Sequence, residues 1–450
     1  MWYVSDTYPR IVDRDSAPPG VFPPRFLTYE KRHPSIHMGT KRQVGTLRMY
    51  LGRRSVAILW LLVLTTTIVM SMALPFAGDA KVYENTVKEV QSGTSPYASG
   101  IARLQLNNAR NSRDRTMNYI YPPMTLPLVR AIGLLPAWLR ISAFCLFYLS
   151  AAWLLLRTEE NFLEPGERKF LLWLSPLCIF FPGLLNDDFF LAGNIAPILY
   201  GLVCAAALWD WKQRQWKWFY LAVLFAFVFK APMLTLLAIP VLTRAGEWLK
   251  VAITGFIACA LMLLQGWIWP GPMNTYLHMM DMEFVYNRQF GFGPTGLLGK
   301  ALLDHGLPYL GGCAVFYVFS SLAIFLLLRT YSRHYLAGRL SMREWMPVLL
   351  IGVILLSPRI KQYDAEAVTL PLAIVAWRGL VDRTTGKKQA VWFAIALLVA
   401  GNVLASVANS WDLIEMLLMV TLFGHALWSL QEKVVCAEEE ALAIAVLQDA

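Results

Sequence analysis

Charge is what this chain is shortest of: 16% of its 450 residues are Asp, Glu, Lys or Arg, against an apolar share of 57%. Soluble domains carry about a quarter charged residues, so an ordinary soluble fold is excluded. Cysteine is scarce too, at six, and none stands in a CxxC or other metal-ligand spacing. Cys145, Cys178, Cys204, Cys259 and Cys313 fall in or beside apolar runs, and Cys436 lies in the C-terminal tail. They read as small apolar fillers, not as a disulfide framework or a zinc ribbon. Nor is a secretory leader expected, because the first strong apolar run begins near Ser55, behind a long polar segment and without an evident A-x-A cleavage site.

What the chain has instead is a succession of hydrophobic runs joined by short polar loops, the pattern of an all-α, polytopic transmembrane helical bundle of roughly 11–12 spans. The runs cover residues 55–77, 138–156, 170–185, 189–208, 218–243, 251–269, 309–328, 345–356, 367–377, 391–408 and 413–430. Two of them, 345–356 and 367–377, fall short of the roughly 20 residues a full crossing needs. The run 218–243 is broken at Lys230, Ala231 and Pro232, which predicts two short helices meeting at the lysine. Residues 1–54 form a flexible basic tail, 55–430 the transmembrane domain and 431–450 an acidic tail with Glu438, Glu439 and Glu440.

Arginine and lysine set the expected topology. The N-terminal tail, the turn with Lys212, Arg214 and Lys217, and the loop with Arg329, Arg333, Arg339 and Arg343 are placed in the cytoplasm, together with both termini. The stretch 78–136 is then external. Its segment 122–136, bounded by Pro122, Pro123 and Pro136 and carrying Arg130, fits a helix lying along the interface. The net charge of +10 sits in tails and loops between apolar runs, which suits anionic lipid headgroups and the bilayer, with no nucleic acid as partner.

On this topology the outer loops gather polar residues at one membrane face. The first group is Gly78-Asp79-Ala80-Lys81-Val82-Tyr83-Glu84, directly after the first run. A carboxylate held at the bilayer surface is well placed to act as a general base on a lipid-borne substrate, and equally to cap an external helix. The second comprises Ser92-Gly93-Thr94-Ser95-Pro96-Tyr97 and Tyr119-Ile120-Tyr121-Pro122-Pro123, turn residues with tyrosines that suit a sugar or an aromatic belt. The third is Asn186-Asp187-Asp188 with Gly193-Asn194, a substrate-binding candidate too sparse to claim a metal. The fourth is cationic: Lys230, Asn287 and Arg288 in Tyr286-Asn287-Arg288-Gln289, and Arg359 with Lys361, Tyr363 and Asp364 in Ser357-Pro358-Arg359-Ile360-Lys361-Gln362-Tyr363-Asp364. Cations at a membrane surface call for an anion, either a phosphate that satisfies several together or internal partners such as Asp364 for Arg359 or Lys361.

The order of these motifs, GDAKVYE, SGTSPY, YIYPPMTLP, GN, KAP, YNRQFG and LSPRIKQYD, resembles the polytopic C-type glycosyltransferases of family 87. The resemblance runs from about Arg53 to Trp428 and lies in the sequence of weak motifs. The best-known members are alpha-mannosyltransferases fed by polyprenyl-phosphate mannose. The resemblance implies a C-type glycosyltransferase fold with membrane-parallel helices in the first external loop, and Asp79 as catalytic base for inverting transfer to an acceptor hydroxyl on a glycan, glycolipid or other molecule. It implies further that Lys230, Arg288, Arg359 and Lys361 hold the leaving phosphate, that Tyr97, Tyr121 and Asn194 shape the sugar and acceptor sites, and that a bacterial plasma membrane is the default location, with the site facing the exterior. No metal or other cofactor is called for, since Arg and Lys can stabilise a lipid monophosphate leaving group. Asn194 stands where many relatives have glutamine and Tyr363 where they have histidine, which leaves sugar and acceptor open, with mannose as the default. A transporter or flippase of lipid-linked sugars is the alternative. It would place polar residues at the midplane and often repeat its halves, and neither feature is visible.

Overall fold

The computed structural model describes residues 78–109, 118–165, 167, 193–213, 215–383 and 411–449, all within the unit Leu51–Ala450. Every regular element among these residues is helical. The polar stretch after the first apolar run forms α1 (Gly78–Gln91) and α2 (Pro96–Ala109). Gly93 adopts a φ of +74° where α1 ends, Thr94 N donates to Glu89 O at 2.8 Å and Gly93 N to Val90 O at 3.3 Å, a left-handed helix stop. Pro96 then opens α2, at a position where no N–H is needed. The proline-bounded segment gives a short 3-10 turn, Pro123–Thr125, and α3 (Leu126–Gly133). α3 lies against α1, where Gln91 Nε2 donates to Gly133 O at 2.6 Å.

The next helices are α4 (Ala137–Glu159), α5 (Ala196–Lys212) and α6 (Lys217–Phe229). α5 lies close along α4 because Gly201 has no side chain: a Cβ there would come within 2.5 Å of the Ala151 backbone. Asp210 Oδ2 accepts Phe219 N at 2.8 Å, so the end of α5 supplies the start of α6 with a partner for one of its orphan N–H groups. α6 stops at Lys230, which is extended (φ −137°, ψ 102°). The chain goes on as a 3-10 stretch, Ala231–Leu237, and α7 (Ala238–Thr243), so the helix pieces meet at the lysine as the Lys-Ala-Pro break predicts. α8 (Trp248–Ile268), α9 (Pro270–Val285), α10 (Pro294–Asp304), α11 (Tyr309–Leu336) and α12 (Met342–Leu355) follow. After them come the single turn α13 (Gln362–Ala365), α14 (Thr369–Arg383) and α15 (Trp411–Asp449).

α12 is the centre of the bundle. Trp345, Leu349, Ile351 and Val353 on it are fully buried, and Ser341 with Glu344 closes a capping box at its start. Pro347 inside it has no N–H for the carbonyl four residues back. That carbonyl, Arg343 O, is taken by Arg378 Nη1 of α14 at 2.8 Å, and the same guanidinium holds Glu167 at 2.7 and 2.9 Å. The proline's missing donor is thus replaced by a side chain that ties three segments together.

Four helices among the described residues are long and apolar enough to cross a membrane: Ala137–Phe162, Trp248–Ile268, Tyr309–Leu336 and Leu413–Glu439. Their apolar side chains face outward, with Leu263 77%, Trp267 80% and Phe319 68% exposed. Surfaces of that kind need lipid. The expectation of roughly 11–12 spans is met only in part. The runs 55–77, 170–185 and 391–408 lie outside the described residues. α6, α12 and α14 have 13, 14 and 15 residues, too short for a straight crossing, and α12 packs inside the bundle. The boundary expected at residue 430 is crossed by α15, a single helix of 39 residues. Its C-terminal half is pinned by Arg339 to Glu438 and by Lys433 to Glu344.

Replacing Gly201 by valine is expected to destabilise the protein by about 1–3 kcal/mol through overpacking. A thermal melt in detergent should show a clear drop for Gly201→Val and little change for Gly311→Val, where a Cβ meets open space.

Candidate functional site

At the start of α5 two backbone N–H groups find side-chain partners, one local and one from α1. Ile195 N donates to Tyr83 Oη at 3.1 Å and Ala196 N to Asn194 Oδ1 at 2.9 Å. With its oxygen committed to the helix, the Asn194 amide turns its Nδ2 onto Asp79 Oδ2 at 2.5 Å. Asn194 is buried at 3% exposure, so the capping of α5 orients Asp79, which itself sits in the first turn of α1 at the positive end of that helix.

Behind Asp79 stands a wall of tyrosines. Tyr83 and Tyr121 share a hydrogen bond between their hydroxyls at 2.8 Å. Tyr97 donates to Tyr121 O at 2.8 Å and is fully buried. Tyr119 lies edge-on to Tyr121 at 5.2 Å, and Tyr121 edge-on to Phe229 at 6.3 Å. Burial, and then the charge of Asp79, push the Tyr83 hydroxyl well above its ordinary value. It is therefore a neutral donor and acceptor throughout the physiological range. Tyr97 and Tyr121 are placed as the supports of the site, with their rings packed against other aromatics.

Next to Phe229 comes Lys230. Its Nζ lies 2.5 Å from Asp364 Oδ1 and 4.1 Å from the centre of the Tyr363 ring. The other oxygen of Asp364 accepts Lys361 N at 3.1 Å. The anion partner anticipated for Arg359 or Lys361 thus belongs to Lys230, while those two side chains meet elsewhere. Lys361 Nζ donates to Gln289 Oε1 at 2.5 Å and Arg359 Nη2 to the same oxygen at 3.4 Å. Arg359 lies over the Phe284 ring at 5.8 Å, and its Nε is buried with no hydrogen-bond partner among the described residues. Asp79 is close enough for its charge to act on both Lys230 and Tyr363. One patch therefore holds Asp79, Asn194, Lys230, Gln289, Arg359, Lys361, Tyr363 and Asp364.

The two loops that carry the cations are held in register by backbone. Phe292 N donates to Ile360 O at 2.8 Å. Gly291, at φ +83°, lies so close that a Cβ would meet Ile360 O at 2.2 Å. Arg288 also adopts a positive φ, 50°. That turn sends its side chain outward to Asp304 at 2.8 Å, where it is 58% exposed. The structure does not bring Arg288 to the other cations.

Other candidates are placed as follows. Glu84 is gripped by Arg140 at both oxygens, 2.8 and 2.6 Å, and joins α1 to α4. Lys81 is exposed. Asn287 Nδ2 donates to Glu283 Oε2 at 2.8 Å, while Asn118 Nδ2 donates to Oε1 at 2.7 Å. Asp187 and Asp188 lie outside the described residues. The sequence alone does not single out Gln289 or Glu283. Gln289 stands inside the Tyr286-Asn287-Arg288-Gln289 motif, but a neutral amide carries no charge signal. Glu283 is one acid in the polar stretch between two apolar runs, and no neighbour in the chain announces its burial.

Comparisons with protein-family models, curated proteins and solved structures each found no match.

The hydrogen bonds from Arg140 hold the Glu84 carboxyl below its ordinary value of 4.5, against the opposing effect of burial. A depressed folded-state pKa contributes stability above the unfolded value that is lost as pH falls through the folded one. Wild type should therefore melt above Arg140→Met at pH 7, and the gap should narrow as the pH is taken below the ordinary glutamate value. A gap that stays constant into acid would assign the Arg140 contribution to packing alone.

Proposed function

We propose that this chain is a membrane glycosyltransferase that moves a sugar from a polyprenyl-phosphate carrier to an acceptor hydroxyl, with inversion at the anomeric carbon. The observation that carries the proposal is one carboxylate, Asp79, oriented by Asn194, in the same patch as an arginine whose Nε is buried and unpartnered among the described residues. A proton acceptor beside a cationic pocket is what direct displacement at a sugar phosphate demands. Resemblance of the motif order to family 87 supports the same chemistry.

In this mechanism the acceptor oxygen forms a bond to the anomeric carbon as the bond from that carbon to the phosphate oxygen breaks. The hydroxyl proton passes to Asp79. The electron pair of the broken bond leaves on the polyprenyl phosphate, whose added negative charge is met by Arg359 and Lys361. Lys230 commits its charge to Asp364 and so holds the turn at Lys361 in place, and Arg288 takes no part. The tyrosine wall excludes water from one side of Asp79, which strengthens every charge interaction in the patch. Mannose is the default sugar, and a glycan, a glycolipid or another hydroxyl compound is the acceptor. The site would face the exterior of a bacterial plasma membrane with both termini cytoplasmic, in a C-type glycosyltransferase fold that builds glycolipid or polysaccharide.

The test is transfer of radiolabelled mannose from polyprenyl phosphate in nanodiscs, with a membrane extract as acceptor source. Asp79→Asn should fold and lose roughly 10²–10⁴-fold in rate, the range of a general base. Undiminished transfer in that variant would remove Asp79 from the chemistry. A wild type inactive with several lipid-linked sugars would overturn the function.

A further inference from the structure

The tyrosines around the candidate site divide by what their hydroxyls do. Tyr83 and Tyr121 are bonded to each other, Tyr97 donates to Tyr121 O, and Tyr119 is bonded to Thr125 Oγ1 at 2.6 Å. Those four hydroxyls are tied to the fold. The hydroxyls of Tyr276, on α9, and of Tyr363 have no hydrogen-bond partner among the described residues. The Tyr363 ring is engaged by Lys230, whereas Tyr276 has no place in the chemistry described so far. Its ring stands edge-on to Tyr97 at 5.5 Å, so the wall that backs Asp79 also fixes Tyr276. Roughly two turns further along α9 is Phe284, and Arg359 lies over that ring at 5.8 Å. The Arg359 charge reaches both Tyr276 and Tyr363, and the Asp79 charge reaches Tyr363. Tyr276 thus joins the tyrosine wall to the arginine that meets the phosphate in the proposed mechanism. Burial pushes its hydroxyl up to about 12, against the pull of Arg359, so the group stays protonated and can both donate and accept.

A half-buried hydroxyl without an internal partner loses hydration and gains nothing from the fold in return. For packing on Tyr97 alone, phenylalanine would serve as well. We propose that Tyr276 recognises the sugar of the lipid-linked donor by hydrogen-bonding one of the sugar's hydroxyls. This rests on the proposed function for the presence of a glycosyl phosphate at Arg359. The sugar of such an ester is joined directly to the phosphate, so a group beside Arg359 is also beside the sugar ring. A sugar hydroxyl offers a donor and an acceptor, as the tyrosine hydroxyl does, whereas the oxygens of a phosphodiester only accept. A site that pairs with a hydroxyl discriminates against the molecule that lacks it. Tyr276 therefore separates the loaded carrier from the bare lipid phosphate left after transfer.

Tyr276→Phe removes one oxygen and leaves the ring against Tyr97. The experiment measures binding of farnesyl phosphate and of farnesyl-phosphoryl-mannose to the full chain in nanodiscs of neutral lipid, read by intrinsic tryptophan fluorescence, alongside a thermal melt. Tyr276→Phe is expected to melt with wild type, to bind the mannosyl lipid about 5–10-fold more weakly as one hydrogen bond is lost, and to bind farnesyl phosphate unchanged. A hydroxyl that serves the fold shows in the melt instead, as expected for Tyr97→Phe, which loses the bond to Tyr121 O. Unweakened binding of the mannosyl lipid in Tyr276→Phe would overturn the proposal. An equal loss for both lipids would overturn it too, by moving the contact to the phosphate, and so would a lowered melt, by making the hydroxyl structural. Selective loss in Tyr276→Phe beside a wild type that transfers no sugar would sustain the recognition and sink only the transferase function. A wild type that transfers mannose while Tyr276→Phe binds the mannosyl lipid normally would do the reverse. If wild type binds no mannosyl lipid, the recognition falls together with the function.

Discussion

An ammonium group inside a helical bundle stays charged only with an anion beside it, and beside Lys230 that anion is Asp364, at 2.5 Å. Removing one partner of such a buried pair costs about 3–5 kcal/mol, because the other charge is left uncompensated. The pair therefore constrains everything attached to either residue. Lys230 is where α6 must stop, ahead of Pro232. Asp364 closes the turn that begins at Lys361 by accepting that residue's N–H. Through the same turn Ile360 O meets Phe292 N, which carries Gln289 to Arg359 and Lys361. Tyr363 completes the arrangement with its ring against the ammonium, an attraction that grows as water is excluded.

A further dependence runs through the start of α5. Orphan N–H groups at a buried helix end need partners, and here Tyr83 and Asn194 serve. Because Asn194 spends its oxygen on the helix, its nitrogen is left to point at Asp79. Helix capping and the orientation of the proposed base are one set of bonds. The tyrosines behind it stack from Tyr97 through Tyr119 and Tyr121 to Phe229, so the wall of Asp79 is continuous with the helix end that presents Lys230.

Much of the helical plan was legible from the chain. The break at Lys-Ala-Pro, the proline-bounded short helix after Tyr121 and the long apolar helices at 137–159, 248–268 and 309–336 follow from backbone rules and hydropathy that act locally. Apolar runs did not reveal which of them face lipid. The sequence of α12 is as hydrophobic as a span, yet the helix is buried in the bundle. Periodicity cannot separate a core helix from a lipid-facing one when every side is apolar. The acidic stretch after residue 430 continues α15 as helix, with ion pairs from Glu438 to Arg339 and from Lys433 to Glu344, partners distant in sequence.

The chain by itself determined that its helices are apolar, where several of them break, and which residue types carry charge between them, because hydropathy, proline and glycine act within a few residues. Tertiary structure alone decided how those charges pair. Asp364 was available to three cations and went to Lys230. Arg288 turned away to Asp304, and Gln289, which has no charge, became the meeting point of Arg359 and Lys361. The reason is that a buried charge takes whichever partner the packing brings within about 4 Å, and that distance is set by helices far apart in sequence.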